Sequence, residues 1–161
     1  MTTLNKISGK IINHDESFFG EITFNEDIYE IKNYHEEKND RIIIPGFIDL
    51  HCHGGNGFDT MDGVNSIQSM ANFHLSKGTT SLLATTWTNS FENTYEALKD
   101  FNSNFKDKNN NLIGVHLEGP FINPNKLGAQ PPLFQEPNIN FVRKIQKMAN
   151  VRVITIAPEI Q

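Results

Sequence analysis

Cysteine is almost absent from this chain. Cys52 stands alone among 161 residues, so no internal disulfide can form, and a reducing compartment, the cytoplasm, is the expected setting. Long apolar runs are lacking too. Met1-Thr2-Thr3 opens straight into polar sequence, and no stretch approaches the roughly 20 residues that span a bilayer, so neither a signal segment nor a membrane span is expected. Positive charge is scarce: 14 Lys and Arg against 19 Asp and Glu leave a net charge of −5. With no Lys/Arg cluster, that balance argues against nucleic-acid and membrane-surface partners. The 37% of hydrophobic residues nonetheless suffices for a domain with a sizeable core.

What is present is organised around Ile42–Gly57, reading IIIPGFIDLHCHGGNG. Phe47-Ile48-Asp49-Leu50, dense in large apolar residues and bounded by turn signals, reads as a buried strand. Alternate residues of a strand share a face, so Asp49, His51 and His53 point one way and Leu50 and Cys52 the other. Two imidazoles spaced i, i+2 at a strand's C-terminal end can hold one metal ion from one side, although His-x-His also occurs as a pair of partly exposed turn histidines. Gly54, Gly55 and Gly57 let the chain turn away sharply and leave such an ion uncovered. Cys52 reads as a packed core thiol.

The flanking chain supplies strands and helices in alternation. Residues 1–44 show short segments punctuated by Asn, Asp and Gly, which suggest a small antiparallel sheet with one solvated face. His14 and His35 read as surface histidines there. Val64–Leu75 carries apolar residues at steps of three and four, an amphipathic helix ended by Lys77-Gly78. His74, on this helix and remote from any strand end, reads as a surface or packing residue. Thr79–Thr88 reads as a second buried strand. Asn89 with Glu92 resembles a capping box opening a helix to about Phe105. Trp87 fits either a ligand-lining position or packing under the next loop.

After a polar loop at Asp107–Asn111, Leu112–Glu118 reads as a third strand, with His116 and Glu118 on one face and Glu118 at its tip. A carboxylate there is costly to leave unpaired; a metal or a neighbouring Arg or Lys would each serve as partner. Residues 121–137 form a long loop with four prolines, a length often associated with function. Asn138–Asn150 reads as a helix with Ile139, Val142, Ile145 and Met148 inward, and Val151–Ala157 as a fourth strand. Such alternation implies an α/β fold built on a parallel sheet, whose active sites lie at C-terminal strand ends. His51, His53 and Glu118 all fall at such ends. Imidazole and carboxylate ligands suit zinc, with iron and manganese next, and an ion so held can activate water.

Pro45–Gly54 resembles the first-strand signature of the amidohydrolase superfamily, metal-dependent hydrolases on a (β/α)8 barrel. Gly114–Phe121 (GVHLEGPF) together with Lys126-x-Gly128-Ala129-Gln130-Pro131 resembles the N-acetylglucosamine-6-phosphate deacetylase family, from about residue 40 to the end. The resemblance implies residues 1–44 as the N-terminal part of a small β-sandwich domain and 45–161 as the first four βα units of the barrel. Such a barrel needs about 250 residues, whereas Gly46–Gln161 supplies 116, so the expectation is a truncated, N-terminal half. It implies hydrolysis of the N-acetyl group of a phosphorylated amino sugar, N-acetylglucosamine 6-phosphate, by one or two divalent ions, zinc or iron. His51, His53 and Glu118 are the implied metal ligands, with Glu118 bridging where two ions bind. Ala129 is implied to contact substrate through its backbone, and Gln130 beside it has a weaker claim. The general acid/base aspartate and two further histidine ligands are expected on later strands, and the full-length family member is expected to be a homodimer. Lys126 suits either a phosphate contact or a solvated surface, and Asp49 and His116 either support the ligands or pack as buried polar groups. A dihydroorotase-like hydrolase fits the first-strand signature but not the two later motifs. A non-catalytic fragment that binds metal or needs a complementing chain is the alternative from a different class.

Overall fold

The computed structural model describes residues 3–35, 39–105 and 110–159, and the chain divides into two compact units, Met1–Pro45 and Gly46–Gln161. Most of the polar loop read at Asp107–Asn111 lies outside the described residues. Among the described residues no helix is long and apolar enough to cross a membrane.

The first unit is a four-stranded sheet. Strands β1 (Asn5–Ile12), β2 (Ser17–Phe24) and β3 (Ile28–Tyr34) run antiparallel in sequence, and the short β4 (Ile42–Ile43) joins the far side of β1 in parallel, giving the order β3-β2-β1-β4. The β2–β3 turn is closed by Asn25, whose side-chain oxygen accepts from the Asp27 amide at 3.0 Å, the local bond that makes Asn a turn residue. Gly9 is needed for close approach, since a Cβ there would collide with the Arg41 carbonyl. His14 is exposed beside Asp15 at 3.6 Å, and His35 is exposed.

The second unit alternates strands and helices. It comprises β5 (Phe47–Cys52), a tiny hairpin of β6 (Gly54–Gly55) and β7 (Phe58–Asp59), a 3₁₀ turn at Thr60–Asp62, and α1 (Val64–Leu75). Then come β8 (Thr79–Thr85), α2 (Phe91–Leu98), α3 (Phe101–Asn104), β9 (Leu112–Glu118), α4 (Ile139–Ala149) and β10 (Val151–Thr155). The four long strands form a parallel sheet in the order β10-β9-β8-β5. Leu82, Ala84, Val115 and Leu117 on the central strands pack with Ile67, Met70, Leu98, Phe101 and Ile145 from the helices. This is an α/β fold, and its parallel strands bring their C-terminal ends to one edge.

Three local expectations need correcting. The run Phe47–Leu50 is not buried: β5 is an edge strand, and Ile48 is 68% exposed. Its apolar composition reads as core, but burial depends on a neighbour that the sheet does not provide on that side.

The helix expected from Asn89 to Phe105 is two helices, broken where Asp100 takes a left-handed φ of 63°. Its N-cap is Ser90, whose hydroxyl accepts from the Asn93 amide at 3.1 Å, while Asn89 accepts from the Ser90 amide. Both residue types cap well, so sequence spacing alone did not separate them.

Helix α4 is capped by the Asn138 side chain, buries Phe141, Ile145 and Ala149, and leaves Ile139 60% exposed. The inward face is thus rotated from the one read at three-residue steps. The stacking of Phe141 on Phe91, with centroids 4.3 Å apart, holds the helix in that orientation.

Candidate metal centre

Strands β5, β8 and β9 end together, and their ends carry the polar residues. His51 lies within β5 and His53 just beyond it. The Asp49 carboxylate accepts from the His51 amide at 3.0 Å, which shapes the strand end locally. On the opposite face Cys52 is buried; its amide donates to the Thr85 hydroxyl at 2.9 Å, tying β5 to β8. Burial, reinforced by the negative charge of Asp49, pushes the Cys52 thiol above its ordinary pKa, which suits an inert packed sulfur.

Glu118, at the tip of β9, reaches across to both histidines. Its Oε2 lies 2.9 Å from His53 Nε2 and 3.4 Å from His51 Nε2, and the two Nε2 atoms are 3.2 Å apart. These three ligand atoms form a compact cluster able to hold a metal ion. A tetrahedral zinc ion with bonds of about 2.1 Å spaces its ligand atoms about 3.4 Å apart, so the triangle has the size that a single ion requires. Two imidazole nitrogens and a carboxylate oxygen are also the right donors for zinc or iron. The residues present fit a divalent ion. Desolvation, partly opposed by Glu118 and reinforced by His51, lowers the His53 pKa, which favours the neutral ring that ligates.

The surroundings hold this triangle in shape. Trp87 stacks on His53 with centroids 3.7 Å apart and planes 14° from parallel, and its indole N–H donates to Asp59 Oδ2 at 3.0 Å. Asp59 is fixed in turn, accepting from the Met61 amide at 2.8 Å. His116 lies edge-on to His51 with centroids 4.9 Å apart. Its Nδ1 is 3.0 Å from the Leu50 carbonyl and its Nε2 is 2.7 Å from the Thr155 hydroxyl, so it bridges β5 and β10 across the sheet's end. Burial lowers the His116 pKa as well.

Gln130 reaches back from the long loop to Glu118, donating from Nε2 to Oε2 at 2.7 Å. Ala129 beside it is exposed, as is Lys126. His74 is not remote from a strand end as its helical position suggested: its Nε2 lies 3.1 Å from the Gly54 carbonyl and 3.2 Å from Cys52 Sγ, packed beneath the glycine turn. Nothing in the sequence marked Asp59 or Thr155 as supports, because both act through neighbours brought in by folding. The position of Trp87 just past a strand end was the one available signal for its role.

Comparison with known proteins identifies the family of the chain. The model of the amidohydrolase family matches residues 42–161. The chain belongs to the amidohydrolase family. Among amidohydrolases that resemble it, N-acetylglucosamine-6-phosphate deacetylase of Lysinibacillus sphaericus is 36% identical over 129 residues, covering 76% of this chain and 33% of that protein. The enzyme of the same name from Bacillus subtilis is 38% identical over 129 residues, covering 74% of this chain and 33% of its own length. In structure, N-acetylglucosamine-6-phosphate deacetylase of Thermotoga maritima matches with a TM-score of 0.85 and 31% identity, over 98% of this chain and 43% of that one. The chain thus spans about a third of the length of these curated relatives.

Proposed function

We propose that this chain carries the first metal-ligand set of an amidohydrolase that removes the acetyl group from N-acetylglucosamine 6-phosphate, yielding glucosamine 6-phosphate and acetate. The observation that carries the reading is the convergence of His51, His53 and Glu118 at the C-terminal ends of two parallel strands, in a chain whose relatives bear that activity in their names. On this reading residues 45–161 are the first four βα units of a (β/α)8 barrel, and residues 1–44 are part of a small β-sandwich domain.

His51, His53 and Glu118 would hold one or two divalent ions, zinc or iron. Such an ion supplies Lewis acidity, activating water and polarising the amide carbonyl. The chain's own residues perform the remaining tasks. Glu118 offers a negative charge that keeps the cation in place and balances it. Trp87 covers one face of His53 and excludes water from it. Ala129, exposed on the long loop, presents its backbone to the sugar. We assign no described residue to proton transfer to the leaving amine; the resemblance gives that role to an aspartate on a later strand.

The test is metal content together with acetate release. Purified chain should take up zinc or iron, and His51→Ala or Glu118→Ala should abolish uptake. Uptake that survives both substitutions overturns the ligand set. The 161-residue chain alone should not release acetate from N-acetylglucosamine 6-phosphate. Release that is lost in His51→Ala would show that the proton-transfer group lies within this chain after all.

A further inference from the structure

The carboxamide of Gln130 is engaged at both ends. Its Nε2 donates to Glu118 Oε2 at 2.7 Å, and its Oε1 accepts from the Thr88 amide at 2.7 Å. These partners fix the orientation of the amide, because a flipped side chain would set its oxygen against the carboxylate and its NH2 against an N–H. The Glu118 oxygen that Gln130 contacts is the same Oε2 that faces both His51 and His53.

The two bonds also join different parts of the sheet's end. Thr88 follows β8, Glu118 ends β9, and Gln130 belongs to the loop after β9. The strand ends approach closely here: Gly119 has a φ of 74°, and a Cβ on it would collide with the Thr88 side chain. A hydrogen bond donated to one carboxylate oxygen restricts rotation of the group and selects the lone pair left for a cation.

Resting on the metal reading above, we infer that Gln130 is a positioning residue for the metal ligand Glu118, through which the proline-rich 121–137 loop preorganises the metal centre. Sequence reading gave Gln130 a weak claim as a substrate contact. The geometry points to a different task, performed on the protein's own carboxylate. An amide suits it, since one end donates to a carboxylate while the other accepts from a backbone N–H. The loop's conformation and the affinity of the centre are therefore coupled: a loop displaced from Thr88 releases Glu118.

Cobalt(II) is the probe, read by its visible absorption and by titration against a chelator, with no activity required. Gln130→Met keeps the side chain's length and removes both strong hydrogen bonds. It should weaken cobalt binding by about 10- to 100-fold and alter the visible spectrum, which reports ligand geometry. Asn123→Ala, on the same loop but bonded to Glu159, should leave both unchanged.

Failure of the wild-type chain to bind cobalt would overturn the metal reading itself. Wild-type binding with Gln130→Met within twofold of it would overturn the positioning role alone. Equal losses in Gln130→Met and Asn123→Ala would show general dependence on the loop and would also overturn it. If Gln130→Met fails to fold, Gln130→Ala carries the same comparison, and an unchanged cobalt spectrum in that variant counts against the role.

Discussion

Trp87 lies flat on His53, their ring centroids 3.7 Å apart, and the indole N–H is held by Asp59. The sole tryptophan of the chain therefore touches a proposed metal ligand and serves as a built-in reporter. Cobalt(II) added to the wild-type chain should quench its emission, and His53→Ala should abolish the response. Saturating cobalt that leaves the emission unchanged would contradict the placement of the ion. Trp87→Ala should weaken metal binding by about tenfold, since it frees the imidazole to turn away from the centre.

Cys52 sits between the two histidines in sequence, yet it faces the core. Its burial and raised pKa predict that a thiol reagent such as iodoacetamide modifies the native chain slowly at pH 7.5 and rapidly in denaturant. Equal rates in the two conditions would place the sulfur on the surface, and with it the wrong face of β5.

Helix α4 offers a direct test of which face is inward. Ile145 is fully buried and Ile139 is 60% exposed. Ile145→Ala should cost about 2–5 kcal/mol of stability through lost burial and the cavity left behind. Ile139→Ala should change it by no more than about 0.5 kcal/mol, as surface substitutions do. Urea unfolding of the two variants settles the matter, and comparable losses would mean that the helix is rotated.

A pH dependence is expected in the first unit. Lys6 donates to Glu21 at 2.8 Å, and that bond lowers the Glu21 pKa below its ordinary value of 4.5. The ionised form is thus favoured by folding. Its contribution is present above the unfolded pKa and is lost as pH falls through the lowered one. Glu21→Gln should therefore be slightly less stable than wild type at pH 7, with the difference vanishing in acid and shrinking in high salt. A difference that grows on acidification would reverse the sign and exclude the pair as its cause.

Much of the fold was legible because its signals are local. The helix over Val64–Leu75 and the strand over Leu112–Glu118 follow from periodicity and punctuation that no distant contact overrides, and both occur at those bounds. His51, His53 and Glu118 stood out because a strand precedes the histidine pair, glycines follow it and Glu118 ends another strand, and the family resemblance implied all three as metal ligands. Asparagine and serine in adjacent positions before α2 compete for one cap on nearly equal terms, so only the folded chain separates Ser90 from Asn89.

Other features depend on which segments meet. That Phe47, Ile48 and Leu50 lie on an edge strand is a property of the strand order, not of their own composition. The stacking of Trp87 on His53 joins residues 34 positions apart, and the reach of Gln130 to Glu118 joins a loop to a strand tip that its sequence nowhere names. His116 presents the same contrast: parity put it on the face of Glu118, but only the sheet brought Thr155 to its other nitrogen. The sequence by itself determined most of the elements and singled out the candidate ligands, because hydrophobic period, turn chemistry and donor type are carried by each residue. Tertiary structure alone decided how those ligands are oriented, because orientation comes from bonds and ring contacts between segments that the chain holds far apart.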